Sequence, residues 1–299
     1  MLLALLLQGV GQAATGSAEG GGAALRLQVQ VETRTVSVKG ATRSALGVEP
    51  STASTQLRCD EGAVALDAGA AVGASGLSLL ASVPLGPRSY RVELRNIEAA
   101  RATAQVSVLC ARVPGERRLP VGTGTGVVMV PAAVVAGTGL VAGRTTVTAA
   151  CTKKSIPVSS GVDLGNGGSL TVREALPSGA RKLVVIVENT ALEARRALVT
   201  VRCVDLPSGF GVTRSTAPVT IPAASGTGAT LSPGVRAGTI KCPAGKVPLG
   251  GGQSGPAGGS GYTFPALRNG PALGYVFRNL SPETQTGTVA IVCAPKRER

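Results

Sequence analysis

The chain has 299 residues, 43% of them hydrophobic, which is enough to build packed cores and excludes a disordered polymer. Its 30 Lys+Arg against 16 Asp+Glu give a formal charge of +14 and favour anionic partners, while the absence of histidine removes the usual proton shuttle and neutral metal ligand. Only 2% of residues are aromatic and none is Trp, so the rings on which nucleobases stack are scarce and nucleic acid is not an expected partner.

The opening MLLALLLQGVGQAATG has an apolar run of signal-peptide length and small residues from Gly11 to Ala14 suited to cleavage, although a basic n-region is missing. Residues 1–24 are read as a signal peptide and glycine-rich leader. No later apolar run reaches the 18 or so residues of a membrane helix, so no transmembrane segment is expected. Two alternating pairs follow, Leu27 with Val29 and Val36 with Val38, within LRLQVQVETRTVSV (Leu25 to Val38), the strand pair most available for exchange with a neighbour.

From Cys59 onward a series begins that recurs. Six cysteines at 59, 110, 151, 203, 242 and 293 have gaps alternating between 51 or 52 and 39 to 41 residues, a period of about 91. Apolar pairs stand five and seven residues after the first cysteine of each period: Val64 and Leu66, Ile156 and Val158, Val247 and Leu249. Glycine recurs ten residues after it, at Gly69, Gly161 and Gly252, and asparagine fourteen before the second cysteine, at Asn96, Asn189 and Asn279. Val106 and Val108, Val199 and Val201, and Val289 and Ile291 then alternate into Cys110, Cys203 and Cys293. Short alternating segments punctuated by Gly, Pro, Ser and Thr predict an all-β chain of three tandem antiparallel β-sandwiches, over 25–116, 117–207 and 208–299. The short proline-containing joints ARVPGERR (Ala111 to Arg118) and VDLPSG (Val204 to Gly209) predict a rod about 90 Å long.

Widely spaced cysteines without histidine do not make a zinc site. Fifteen disulfide connectivities are open to six cysteines, and a repeat that folds as a unit favours Cys59 with Cys110, Cys151 with Cys203, and Cys242 with Cys293, each worth roughly 4 kcal/mol in the chain-entropy model. Such bridges imply an oxidising compartment, secreted or at the cell surface. The cysteine, glycine-rich turn, asparagine and closing VxVxC strand together resemble the cysteine-paired, immunoglobulin-like β-sandwich repeats of secreted bacterial proteins. That resemblance implies a scaffold rather than an activity, and Val108, Val201 and Ile291 stand where immunoglobulin domains carry a tyrosine.

Chemistry-bearing motifs are few. In CPAGKVPLGGGQSG, Lys246 precedes the glycines and no helix follows, so the stretch reads as scaffold and not as a phosphate loop. Asp163 and Asn166 in VDLGNGG lack the spacing of a calcium loop, and no GxSxG, SxxK or nominated carboxylate pair supplies a catalytic centre. Neither a cofactor nor a metal is expected. Tyr275 and Phe277 fall at core positions, which leaves Tyr262 as a possible sugar platform and Arg117 with Arg118 as possible contacts for an anionic polymer. The expected function is an exported, non-catalytic structural or adhesive protein, a filament or surface-layer subunit that associates with itself or with other surface proteins. The alternative is a binding module for anionic envelope or extracellular polysaccharide.

Overall fold

A computed structural model describes residues 27–296 apart from 45–46, 73–75, 114–118, 138, 153, 166–167, 207–209, 227–231, 257–258 and 268–270. The expected leader at 1–24 therefore lies outside the described residues. The first third of the chain runs through β1 (Gln28–Val38), a hairpin of β2 (Thr42–Ser44) and β3 (Gly47–Glu49), β4 (Ser51–Arg58), β5 (Val64–Ala71), β6 (Leu77–Gly86), β7 (Ser89–Asn96) and β8 (Ala102–Arg112). The middle third repeats that order as β9 (Val121–Val130), a hairpin of β10 (Val134–Ala136) and β11 (Gly139–Val141), β12 (Gly143–Ala150), β13 (Ser155–Asp163), β14 (Leu170–Ser178), β15 (Lys182–Asn189) and β16 (Arg195–Asp205). The last third comprises β17 (Thr213–Ile221), β18 (Gly234–Ile240), β19 (Lys246–Ser254), β20 (Ser260–Leu267), β21 (Pro271–Asn279) and β22 (Gln285–Pro295).

Period-two patterning decides which face of each strand is buried. In β7, Tyr90, Val92, Leu94 and Asn96 are buried while the residues between them are half-exposed. The pairs Leu27/Val29 and Val36/Val38, which read as separate strands, lie on one continuous run into β1, all of which pairs with β8. In each third the first, last and third major strands pair in one layer (β1-β8-β5) and the other three in a second (β4-β7-β6), with the disulfide joining the layers. Cys59 follows β4 and bonds Cys110 in β8, Cys151 follows β12 and bonds Cys203, and Cys242 follows β18 and bonds Cys293. The chain is thus all-β with three intrachain disulfides, pairing as the period predicts.

The asparagines prove to be staples. Asn189 is fully buried; its Nδ2 donates to Pro131 O at 3.0 Å and Glu193 O at 2.7 Å, and its Oδ1 accepts from Ala191 N at 2.9 Å. Asn96 ties Lys39 O to Ala100 O, and Asn279 ties Pro222 O to Glu283 O, in the same way. One buried amide thereby satisfies three backbone groups and ties two turns together.

The expected rod does not form. Strand β6 pairs with β13, so β4-β7-β6-β13-β16-β9 is one six-stranded sheet across the first and middle thirds; β14 pairs with β19 to make a second, β12-β15-β14-β19-β22-β17. With β1-β8-β5 and β18-β21-β20, the architecture is four blade-like sheets rather than three separate bodies. The recurring glycine makes this possible. A Cβ on Gly161 would lie 2.4 Å from Ser82 O of β6, one on Gly252 1.8 Å from Ala175 O of β14, and one on Gly69 2.7 Å from Thr263 O of β20. Each approach brings in the backbone of another third, and the last closes the chain into a ring: β20 crosses β5, and Ser107 Oγ donates to Pro265 O in place of a ladder.

Closure creates a core common to all three parts. Strands β5, β13 and β19 each skip one residue in register against β8, β16 and β22, and the skipped residues are Leu66, Val158 and Leu249. All three are fully buried in one cluster with Leu27, Val64, Val247 and Val292. The apolar pairs after each first cysteine were expected to face the interior of their own sandwich; five of the six buried or half-buried members instead line the ring centre with Ile156 packed at its margin. Burying a Leu or Val side chain contributes roughly 1.5–3 kcal/mol, so this core rewards closure as much as a local one rewards folding.

Gly252→Ala therefore lowers stability by about 2–4 kcal/mol in denaturant unfolding, because the added methyl meets backbone. Gly86→Ala, where a Cβ meets nothing within 4 Å, changes it by about 0.5 kcal/mol or less.

Candidate functional site

The position eight residues after each first cysteine holds Asp67, Ser159 and Gly250, and all three face the seams between thirds. Ser159 Oγ donates to Leu66 O at 2.7 Å, Tyr90 Oη donates to the same carbonyl at 3.0 Å, and a Cβ on Gly250 would sit 2.4 Å from Val158 O. Arg202 completes the seam between the first and middle thirds. Its Nε donates to Ala65 O at 2.8 Å and its Nη2 to Gly86 O and Pro87 O, with the guanidinium 5.5 Å from the Tyr90 ring centroid. A buried cation held by three carbonyls and a ring face is a cross-brace between strands. Burial pushes the Tyr90 phenol up to about 12, partly offset by Arg202.

Burial also raises the Asp67 carboxyl well above its usual range, against the opposing pull of the Ala68 backbone and Ser159, and its Oδ2 has no hydrogen-bond partner. The folded chain thus keeps a proton that the unfolded chain releases above about pH 4. The contribution to stability is complete below that pH and is lost as pH rises toward the folded-state value, by up to about 1.4 kcal/mol per pH unit.

A cleft of about 980 Å³ lies where the first and last thirds meet. Leu27, Val29, Val247 and Pro271 form its apolar wall; Glu32, Asp60, Glu61, Arg112 and Lys296 carry its charge. Arg112 is held by Gln28, whose Oε1 accepts from Nε at 2.7 Å, and Cys110 is locked in its disulfide. The lining is that of a mixed-charge recess on an apolar floor. Among the described residues, no cluster of three His, Cys, Asp or Glu side chains is placed to hold a metal ion.

Most residues singled out from sequence are occupied by the scaffold. Tyr262 is 8% exposed and packs into the first third's core from β20, so its ring has no free face for a sugar. Phe277 is fully buried with Tyr275 5.7 Å away, as expected for core rings. Lys246 Nζ donates to Gly211 O at 3.0 Å and Thr213 Oγ1 at 3.2 Å, and Gly250 to Gly252 lie inside β19 just after its register skip. Asp163 accepts from Arg91 at 2.5 Å and from Gly165 N at 2.9 Å. Asn166, Arg117 and Arg118 lie outside the described residues.

The surface also carries an uncharged apolar segment. From Pro120 to Gly143 the sequence has no charged residue. That segment comprises β9, the outer strand of its six-stranded sheet, and the β10–β11 hairpin. Val127 and Met129 on β9 and Val134, Val135, Leu140 and Val141 on the hairpin are all more than half exposed. The signal was legible as a gap in charge, which a search for reactive side chains does not register.

No protein-family model matches the chain, and no curated protein matches it. The three disulfides fit an oxidising, extracytoplasmic setting, and among the described residues no helix is long and apolar enough to cross a membrane.

Asp67→Asn is more stable than the parent at pH 8, and the difference shrinks toward zero at pH 4, as read from denaturant unfolding at both pH values.

Proposed function

We propose that this is an exported, non-catalytic structural or adhesive protein built from three tandem sandwich units, 25–116, 117–207 and 208–299, which associates laterally with its own copies through the open edge of β9. The observation that carries this reading is the contrast among three equivalent outer strands. β1 bears Glu32 and Arg34, and β17 bears Arg214 and Pro218, the kinds of residue that blunt a sheet edge; β9, VGTGTGVVMV, bears neither charge nor proline. Thr145 Oγ1 donates to Met129 O at 2.9 Å on the side away from β16. By strand alternation, the N–H and C=O groups of Thr123, Thr125 and Val127 face that same open side.

Antiparallel pairing of β9 with β9 of a second copy would satisfy those groups and continue the sheet, and it brings two +14 molecules together along a stretch where neither carries charge. This places the pairing strand at 121–130 rather than at Leu25–Val38. The polysaccharide alternative loses its ring platform with Tyr262 buried and rests on charge alone.

Sedimentation velocity over rising concentration shows dimers or longer assemblies for the full disulfide-bonded chain. Thr125→Lys, which sets like charges against each other across the pairing axis, weakens the association by about tenfold or more without changing thermal stability. A parent chain that stays monomeric at all concentrations, or a Thr125→Lys chain that assembles equally well, removes the reading.

A further inference from the structure

We propose that the β10–β11 hairpin docks the protein on a lipid bilayer with anionic headgroups, its tip sunk into the interfacial layer. Val134 pairs with Val141, and Val135 with Leu140. Cross-strand partners share a face and successive residues alternate, so one face of the hairpin carries Val134 and Val141 and the other Val135 and Leu140. All four are between 51% and 71% exposed. A flat protein partner covers one side of such a ribbon; only an environment that surrounds it covers both.

The fold does not require these side chains. The equivalent hairpin of the first third pairs Thr42 with Glu49, Arg43 with Val48 and Ser44 with Gly47, and is polar at three of the four equivalent positions, with Val48 at the fourth. The base of the apolar hairpin is fixed to the body, with Ala133 N donating to Ala191 O at 2.7 Å and Asn189 Nδ2 donating to Pro131 O. Beside this base, Leu192 is 67% exposed. Arg195 and Arg196, both exposed, stand across the ladder from Val130 and Met129, and Arg144 lies at the start of β12, three residues after β11. Arg144 and Arg195 have carboxylate neighbours in Glu188 and Glu193, whereas the overall +14 charge still draws the molecule to an anionic surface.

Dimensions agree. Three residues per strand reach about 10 Å, the depth to which interfacial elements sink, and fall far short of a hydrocarbon core of about 30 Å. The inference goes beyond the lateral association above and does not depend on it, since the hairpin and the β9 edge can be altered separately.

The chain contains no Trp, so Val135→Trp supplies a single fluorescent reporter. Its emission moves to the blue with phosphatidylcholine vesicles containing phosphatidylglycerol and stays in place with phosphatidylcholine alone or without lipid. The parent chain co-sediments with the anionic vesicles, and Val135→Asp with Leu140→Asp reduces that binding about tenfold or more while thermal stability and concentration-dependent assembly are kept. Three results overturn the proposal: no co-sedimentation of the parent chain, equal co-sedimentation of the double variant, or a blue shift of Val135→Trp on self-association in the absence of lipid, which assigns the hairpin to a second copy.

Discussion

The architecture depends on backbones of different thirds touching where a side chain would keep them apart. At Gly161 and Gly252 the absence of a Cβ lets β6 meet β13 and β14 meet β19, so that sheets run through what the sequence marks as joints. At Gly69 the same approach lets β20 close the circle. Once these contacts exist, Leu66, Val158 and Leu249 have each other to pack against, and the residue skipped in register becomes a core residue instead of an irregularity. The disulfides act at another level, joining the two layers within each third.

Much of this was written in the sequence as period, but period alone does not say what a residue touches. Cysteine spacing gave the bridges because a loop of 51 or 52 residues closes within one period. The asparagine recurred at a fixed distance because its amide serves the same two turns each time. The recurring glycine was visible as a position without a side chain, a signature that is the same whether its neighbour is near or distant in the chain. The inward-pointing pairs misled in a related way: hydrophobic alternation marks Leu66 as buried without indicating whose interior it fills. The Tyr262 ring packs into the core of the first third, far earlier in the chain, so its burial was not readable locally.

The surface divides according to what the fold requires and what it leaves free. Charges inside the seams are committed, Arg202 to carbonyls and Asp163 to Arg91, and within the middle third Glu188 binds both Arg144 and Arg173. Equivalent outer strands and hairpins, by contrast, differ in charge although their geometry is shared. The middle third is uncharged where the first carries Arg43 and Glu49. Such divergence on a constant frame is best explained by contacts made outside the chain.

The closing contact also orders events during synthesis. Gly69 and Ser107 form a docking notch early in the chain, but Thr263 and Pro265, which fill it, emerge only near the end. Until then the first third must wait on the ribosome or in transit with Leu66 and its neighbours uncovered, a slow long-range step with a window for misassociation. The middle third, through Val158 and Ser159, covers part of the ring centre before the last strands arrive to complete it.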